Sequence, residues 1–147
     1  MPIIPGPNNQ MVTASLPTQY SSGTGNYSQT SITSPLNFTT GSGYLISGSL
    51  TTTGNPVFVV ASGYFYPGCC SDISTGSLGL YRDGIQIGQK IKYSIVRTTP
   101  SDAINFPYHL SCVDIPSTGT HTYYVKVEEH TQALVFGSGS LIAFEIR

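Results

Sequence analysis

The chain has 147 residues, enough for one domain that buries roughly two-thirds of its unfolded surface and too few for two ordinary ones. Only 9% of its residues are charged and the net charge is -1, so it has no cationic field with which to displace counterions from a nucleic-acid backbone. With 16 Gly and 10 Pro it is too rich in helix breakers for long helices, while 10 Tyr and 6 Phe supply the bulk that strands bury, which points to an all-β fold with many turns.

In chain order, the start MPIIPGPNNQ carries no basic residue, and prolines flank its only apolar pair, Ile3-Ile4. It therefore lacks the pattern of a secretory signal, and synthesis in a reducing compartment without export by that route is expected. From Met1 to about Gly43, five prolines and five glycines alternate with Ser, Thr, Asn and Gln. Apolar residues occur singly there, among them Ile3, Ile4, Met11, Val12, Leu16, Tyr20 and Tyr27. No acidic or basic side chain precedes Asp72. Such a segment buries too little apolar area to offset a backbone ordering cost of roughly 1 to 2 kcal/mol per residue. Residues 1–43 are accordingly expected to form an extended N-terminal arm that needs a partner surface, and residues 44–147 the folded domain.

From Tyr44 the pattern changes to short apolar or alternating runs with turn signals every eight to twelve residues. Strands are expected near 44–52, 57–65, 77–82, 85–96 (bent or broken at Gly88), 108–114, 121–129, 133–136 and 140–146. The fold class is thus an antiparallel β-sandwich or jelly roll of about eight strands. Asp83-Gly84 between LGLYR and IQIG predicts a two-residue hairpin, because that turn needs positive φ at both positions. Gly137-Ser138-Gly139 reads as a turn between the last two strands. No stretch approaches the about 18 apolar residues of a membrane-spanning helix, so no membrane contact is expected.

Sites of chemistry are sparse. His109, His121 and His130 form a conceivable metal trio, but close pairs are missing apart from His109-x-x-Cys112, and surface histidines are the favoured reading. Cys69, Cys70 and Cys112 are odd in number, with two adjacent, which does not describe a disulfide framework. No serine has glycines at both flanking second positions, and the run GTGNYS at Gly23 neither follows a strand nor opens a helix. Asp83 is taken up by its hairpin, Asp72 and Asp102 fall in loops, and Glu128-Glu129 end a strand. No catalytic residue, cofactor or metal site is assigned. The terminal strand SLIAFEIR is strongly apolar and must be paired and covered. Within it either Leu141, Ala143 and Glu145 or Ile142 and Phe144 are candidates for an interface around a three-fold axis, the other set facing the domain's own core, since alternate residues face opposite ways.

The succession ISGSLTTTGNPVFV, LGLYRDGIQIG, GTHTYYVKV and FGSGS into LIAFEI resembles the trimeric jelly-roll modules related to tumour-necrosis-factor and complement globular heads, versions of which occur on tailed-phage virions. The resemblance covers about residues 44–147 and implies a non-enzymatic homotrimer on a particle surface. It suggests a capsid decoration or cement protein of a bacteriophage head. In that role the arm residues Ile3, Ile4, Met11, Val12, Leu16, Tyr20 and Tyr27 would contact the major capsid protein. The alternative is a receptor-binding module of a tail fibre or spike, with Tyr64, Phe65, Tyr66, Tyr81, Tyr108, Tyr123 and Tyr124 offering sugar-stacking surfaces.

Overall fold

The computed structural model describes residues 27–32, 36–38, 41–67, 73–96, 105–131 and 134–146. Among them are nine strands: β1 (Tyr27–Ile32), β2 (Leu36–Phe38), β3 (Gly41–Thr52), β4 (Val57–Pro67), β5 (Ile73–Arg82), β6 (Ile85–Val96), β7 (Phe106–Asp114), β8 (Gly119–His130) and β9 (Leu134–Glu145). They form two antiparallel sheets. One is five-stranded, ordered β1-β9-β4-β7 with β2 also on β9, and the other is β3-β8-β5-β6. The pairs β2·β9, β3·β8, β4·β7 and β5·β6 are nested inside one another, as in a long two-stranded ribbon rolled up into two layers. That is a jelly roll.

Alternation of side chains on each strand builds the core between the layers. Val57, Val59 and Ala61 of β4 and Leu141 and Ala143 of β9 face Leu78 and Leu80 of β5 and Tyr123, Val125 and Val127 of β8, all nearly or fully buried. Among the described residues no helix is long and apolar enough to cross a membrane.

The Asp83-Gly84 hairpin is present, with φ of 48° and 91° at the two positions. β6 is distorted where expected. Opposite Leu78–Leu80 of β5 the register slips between Ile87 and Ile91, and Gly88 has φ of 74°. A Cβ there would lie 2.8 Å from Cys112 Cβ on β7, so the glycine permits the edges of the two sheets to touch.

Two expectations differ from the structure. The two expected runs belong to one continuous strand, Leu134–Glu145; Gly139 and Ser138 pair with Gly63 and Tyr64 of β4, and Gly137 is the extra residue where the register shifts before Phe136 meets Phe65, instead of part of a turn. A Cβ on Gly137 would lie 2.0 Å from the Tyr64 ring, and one on Gly139 would lie 2.6 Å from the Tyr108 hydroxyl. The glycines make room for two aromatic rings laid across the strand. The second difference concerns the first 43 residues. Tyr27–Ile32 pairs along β9 from Phe144 to Gly139, Leu36–Phe38 pairs with Phe136 to Leu134, and β3 begins at Gly41. Among the described residues, pairing to the body therefore already begins at Tyr27, 17 residues before the boundary drawn from the sequence. An edge strand is held chiefly by backbone hydrogen bonds, so it needs no apolar periodicity; Tyr, Thr and Ile in YSQTSI suit a pleated strand without it.

Candidate interaction surface

The two outer faces of the sandwich are chemically unlike. On the five-stranded sheet, residues in register share a face. Phe58 of β4 stands between Phe144 of β9 and Val113 of β7, and Val60 stands between Ile142 and Ser111. The next rungs hold Ser62 with Ser140 and His109, then Tyr64 with Ser138 and Pro107. The rings of Phe58 and Phe144 lie 5.4 Å apart, tilted by 52°. Phe58, Val60, Ile142 and Phe144 are half-buried, and Val113 is 58% exposed. No Lys, Arg, Asp or Glu among the described residues faces outward there, for Asp114 and Glu145 on the flanking strands are turned inward and buried. Aromatic and aliphatic side chains without charge are what the centre of a protein interface contains. Each 100 Å² of such surface removed from water contributes roughly 2.5 kcal/mol before the entropic cost of association.

The outer face of the four-stranded sheet is polar and already internally paired. Tyr81 stacks on Tyr124 with centroids 5.6 Å apart, and the ammonium groups of Lys90 and Lys126 lie 5.8 and 5.2 Å from the Tyr81 ring centre. Both lysines close on Glu128: Lys90 through a short ion pair and Lys126 at 2.9 Å. Their hydrogen bonds, that of Lys90 foremost, pull the Glu128 carboxyl down to about 2. Glu128 offsets one of these two positive charges, and Lys92, exposed beside it opposite Ser77, adds another, so this face is cationic where the opposite face carries no charge.

A second polar assembly closes the end of the roll where the β5–β6 hairpin, the β3–β4 loop and the β7–β8 loop meet. Arg82 Nη1 donates to Asp114 Oδ2 at 2.6 Å and the Tyr123 hydroxyl donates to the same oxygen at 2.9 Å. The fully buried Glu145 accepts from the Thr53 amide at 2.6 Å, the Thr53 hydroxyl at 2.7 Å and the Asn55 amide at 3.3 Å. Thr52 and Thr118 donate to the carbonyls of Ser117 and Thr53. These contacts satisfy groups that the turn leaves without ladder partners and fix the loops.

The residues singled out from sequence are distributed as follows. Ile142 and Phe144 lie together on the charge-free face. Leu141 does not join them; it points the other way and is 2% exposed in the core, because odd and even positions of a strand face opposite layers. Tyr27 heads β1 opposite Phe144. Ile3, Ile4, Met11, Val12, Leu16 and Tyr20 lie outside the described residues, as do Cys69, Cys70, Asp72, Asp102 and most of the GTGNYS run. Among the sugar-stacking candidates, Phe65, Tyr81, Tyr108, Tyr123 and Tyr124 are buried, and Tyr64 and Tyr66 retain exposure.

The histidines do not converge. His109 is on the outer face, His121 is at the hairpin end and His130 is buried at the opposite end of β8. His109 and Cys112, three apart on one strand, face opposite sides; Cys112 packs against the core, where burial and the nearby Asp114 push its thiol up to about 11. Among the described residues no three metal-ligating side chains come together. Sequence reasoning set Glu145 beside Leu141 and Ala143 but missed its role as acceptor for the β3–β4 loop, and it passed over the pairing of Asp83 with His121. Glu145 carries a signal, since it shares parity with Leu141 and Ala143; the Asp83–His121 pair, 38 residues apart, carries none.

No protein-family model matches the chain, and no curated protein matches it. Among solved structures it is similar to the VP2 protein of infectious bursal disease virus in derived T=1 particles, with 11% identity and a TM-score of 0.46 over 83% of this chain and 36% of that one. The structure of the Gx strain of infectious bursal disease virus matches with 13% identity and a TM-score of 0.45, over 80% and 32% of the two chains. This chain spans about a third of the length of those chains.

Proposed function

We propose that this chain is a non-enzymatic structural protein of a virus particle, of the decoration type found on tailed-phage heads. In this reading the jelly roll associates with itself, as a homotrimer, through the outer face of the five-stranded sheet. Residues 1–26 lie on the major capsid protein and bridge capsomers. The observation that carries the reading is the charge-free row of Val113, Phe58 and Phe144 with Val60 and Ile142 beside it, on one outer face of the sandwich. Because Tyr27–Ile32 pairs with β9, this reading assigns attachment to residues 1–26, which contain no acidic or basic side chain. Apolar residues set singly in an uncharged, Pro-rich stretch suit backbone pairing to exposed edges with side chains dropped into pockets. Three such stretches on one trimer would add avidity.

The test is co-sedimentation of the full chain with capsids that lack it, alongside light-scattering mass measurement of the free protein. A trimer mass, capsid binding that persists in high salt, and loss of binding on removal of residues 1–26 are the expected results. Ile142→Asp should yield a folded monomer. A monomeric parent protein, or a shortened chain that binds capsids equally well, would refute the scheme. Binding to host cells or glycans with no affinity for capsids would favour the host-attachment alternative.

A further inference from the structure

His121 stands on β8 at the hairpin end of the roll, where both of its ring nitrogens meet acceptors. Nδ1 lies 2.6 Å from Asp83 Oδ2 in the β5–β6 turn, and Nε2 lies 2.9 Å from the carbonyl oxygen of Ser117 in the β7–β8 loop. A neutral imidazole has one N–H and one lone pair, so it can satisfy one of these oxygens and must present a lone pair to the other. The imidazolium donates to both. The geometry therefore selects the charged ring, and it makes the ring a bridge between two loops that are otherwise joined at this point through β3 and β8.

We propose that His121 is a proton-operated latch for the β7–β8 loop: protonated, it ties Ser117 to the Asp83 turn; neutral, it keeps Asp83 and lets Ser117 go. The choice of which contact survives follows from charge. Asp83 is a carboxylate and the stronger acceptor, whereas Ser117 offers a neutral carbonyl. Asp83 is also fixed independently of His121, since its Oδ1 accepts from the Thr122 amide at 2.8 Å and its own amide donates to the Thr122 carbonyl at 3.1 Å. After release the loop is held from the β3 side, by Thr52 on the Ser117 carbonyl and by Thr118 on the Thr53 carbonyl. The loop carries Ile115, 76% exposed and directly beyond β7, so loosening it alters the rim of the charge-free face.

The charged groups around the ring act in opposed directions. The hydrogen bond of Asp83 is the largest influence and the Ser117 carbonyl the next; both hold the imidazole above its ordinary value of 6.5 against desolvation and the Arg82 guanidinium. Arg82 is itself engaged by Asp114 of β7, which tempers its repulsion. β3, paired to this part of β8 through Leu50, contributes no charged side chain.

The experiment is a pH titration of the full chain by NMR, reading the His121 ring nitrogens for protonation state and the amides of Ser117, Thr118 and Gly119 for hydrogen exchange. The expected result is a His121 midpoint above 6.5, with loop exchange accelerating at that same midpoint after correction for the intrinsic pH dependence. Asp83→Asn, which keeps a residue tolerant of positive φ in the turn, should lower the midpoint and move the loop transition with it. A wild-type midpoint at or below 6.5, or loop exchange indifferent to His121 ionisation, overturns the proposal even if the Asp83 variant fails to fold.

Discussion

Replacing Glu145 with Ala tests the most concentrated polar contact in the fold. The carboxylate is fully buried at the end of β9, and one oxygen receives three donors from the β3–β4 loop at 2.6, 2.7 and 3.3 Å. Hydrogen bonds to a charged group each contribute roughly 1.5 to 3 kcal/mol, and the two short ones set the scale. Thr53 and Asn55 are exposed, so water reaches the freed donors in the variant and returns part of that energy. The net loss expected is about 2 to 4 kcal/mol, a large share of the roughly 5 to 15 kcal/mol typical of a native domain. Glu145→Gln, which retains an acceptor oxygen but adds an amide to be accommodated, should lose about half as much. Urea unfolding at neutral pH, with the slope checked for constancy, measures both. A Glu145→Ala midpoint indistinguishable from wild type would mean that the buried carboxylate is not what fixes the β3–β4 loop, and the account of this end of the roll would fail.

Two further outcomes follow from the same structure. Gly139→Ala and Gly137→Ala should both destabilise by about 1 to 3 kcal/mol, with Gly139 the costlier, because Tyr108 is buried over it while the exposed Tyr64 can swing aside from Gly137; thermal unfolding ranks them, and a reversed order would refute the steric reading. The Glu128 carboxyl, drawn down to about 2 from an ordinary 4.5 by Lys90 first and Lys126 second, stabilises the fold above pH 4.5 and loses that contribution as pH falls toward 2. Glu128→Gln should flatten the acid limb of a urea-midpoint-versus-pH curve, and an unchanged limb would show the pairing to be energetically silent.

The Asp83-Gly84 turn, the body strands and the two-layer architecture were legible because each rests on local information: positive φ, period-two alternation and punctuation by turn residues. Gly137-Ser138-Gly139 misled for a physical reason. The same absence of side chains that favours a turn also admits Tyr64 and Tyr108 across a strand, and the tyrosines that decide the matter lie 73 and 31 residues away from the nearer glycines they cover. β1 escaped notice because an edge strand on β9 needs little apolar surface of its own. Strand parity separated Ile142 and Phe144 from Leu141 and Ala143, yet parity does not say which set is inside. The buried acceptor role of Glu145 settles that, and it depends on Thr53 and Asn55, some ninety residues away.

The nesting of the strand pairs has a temporal consequence. The tightest pair, β5 with β6, closes through a two-residue turn, whereas Leu36 and Phe136 meet across about a hundred residues. Rolling up from the hairpin outward postpones the most distant contacts, and a topology so rich in non-local pairing is expected to fold on a millisecond-to-second scale. β1, β2 and β4 all bond to β9, the last-made of the described strands, so their sheet waits during synthesis for its central member. Until β9 leaves the ribosome, an edge of β4 stands open, and nascent chains crowded on one message are exposed to pairing with one another.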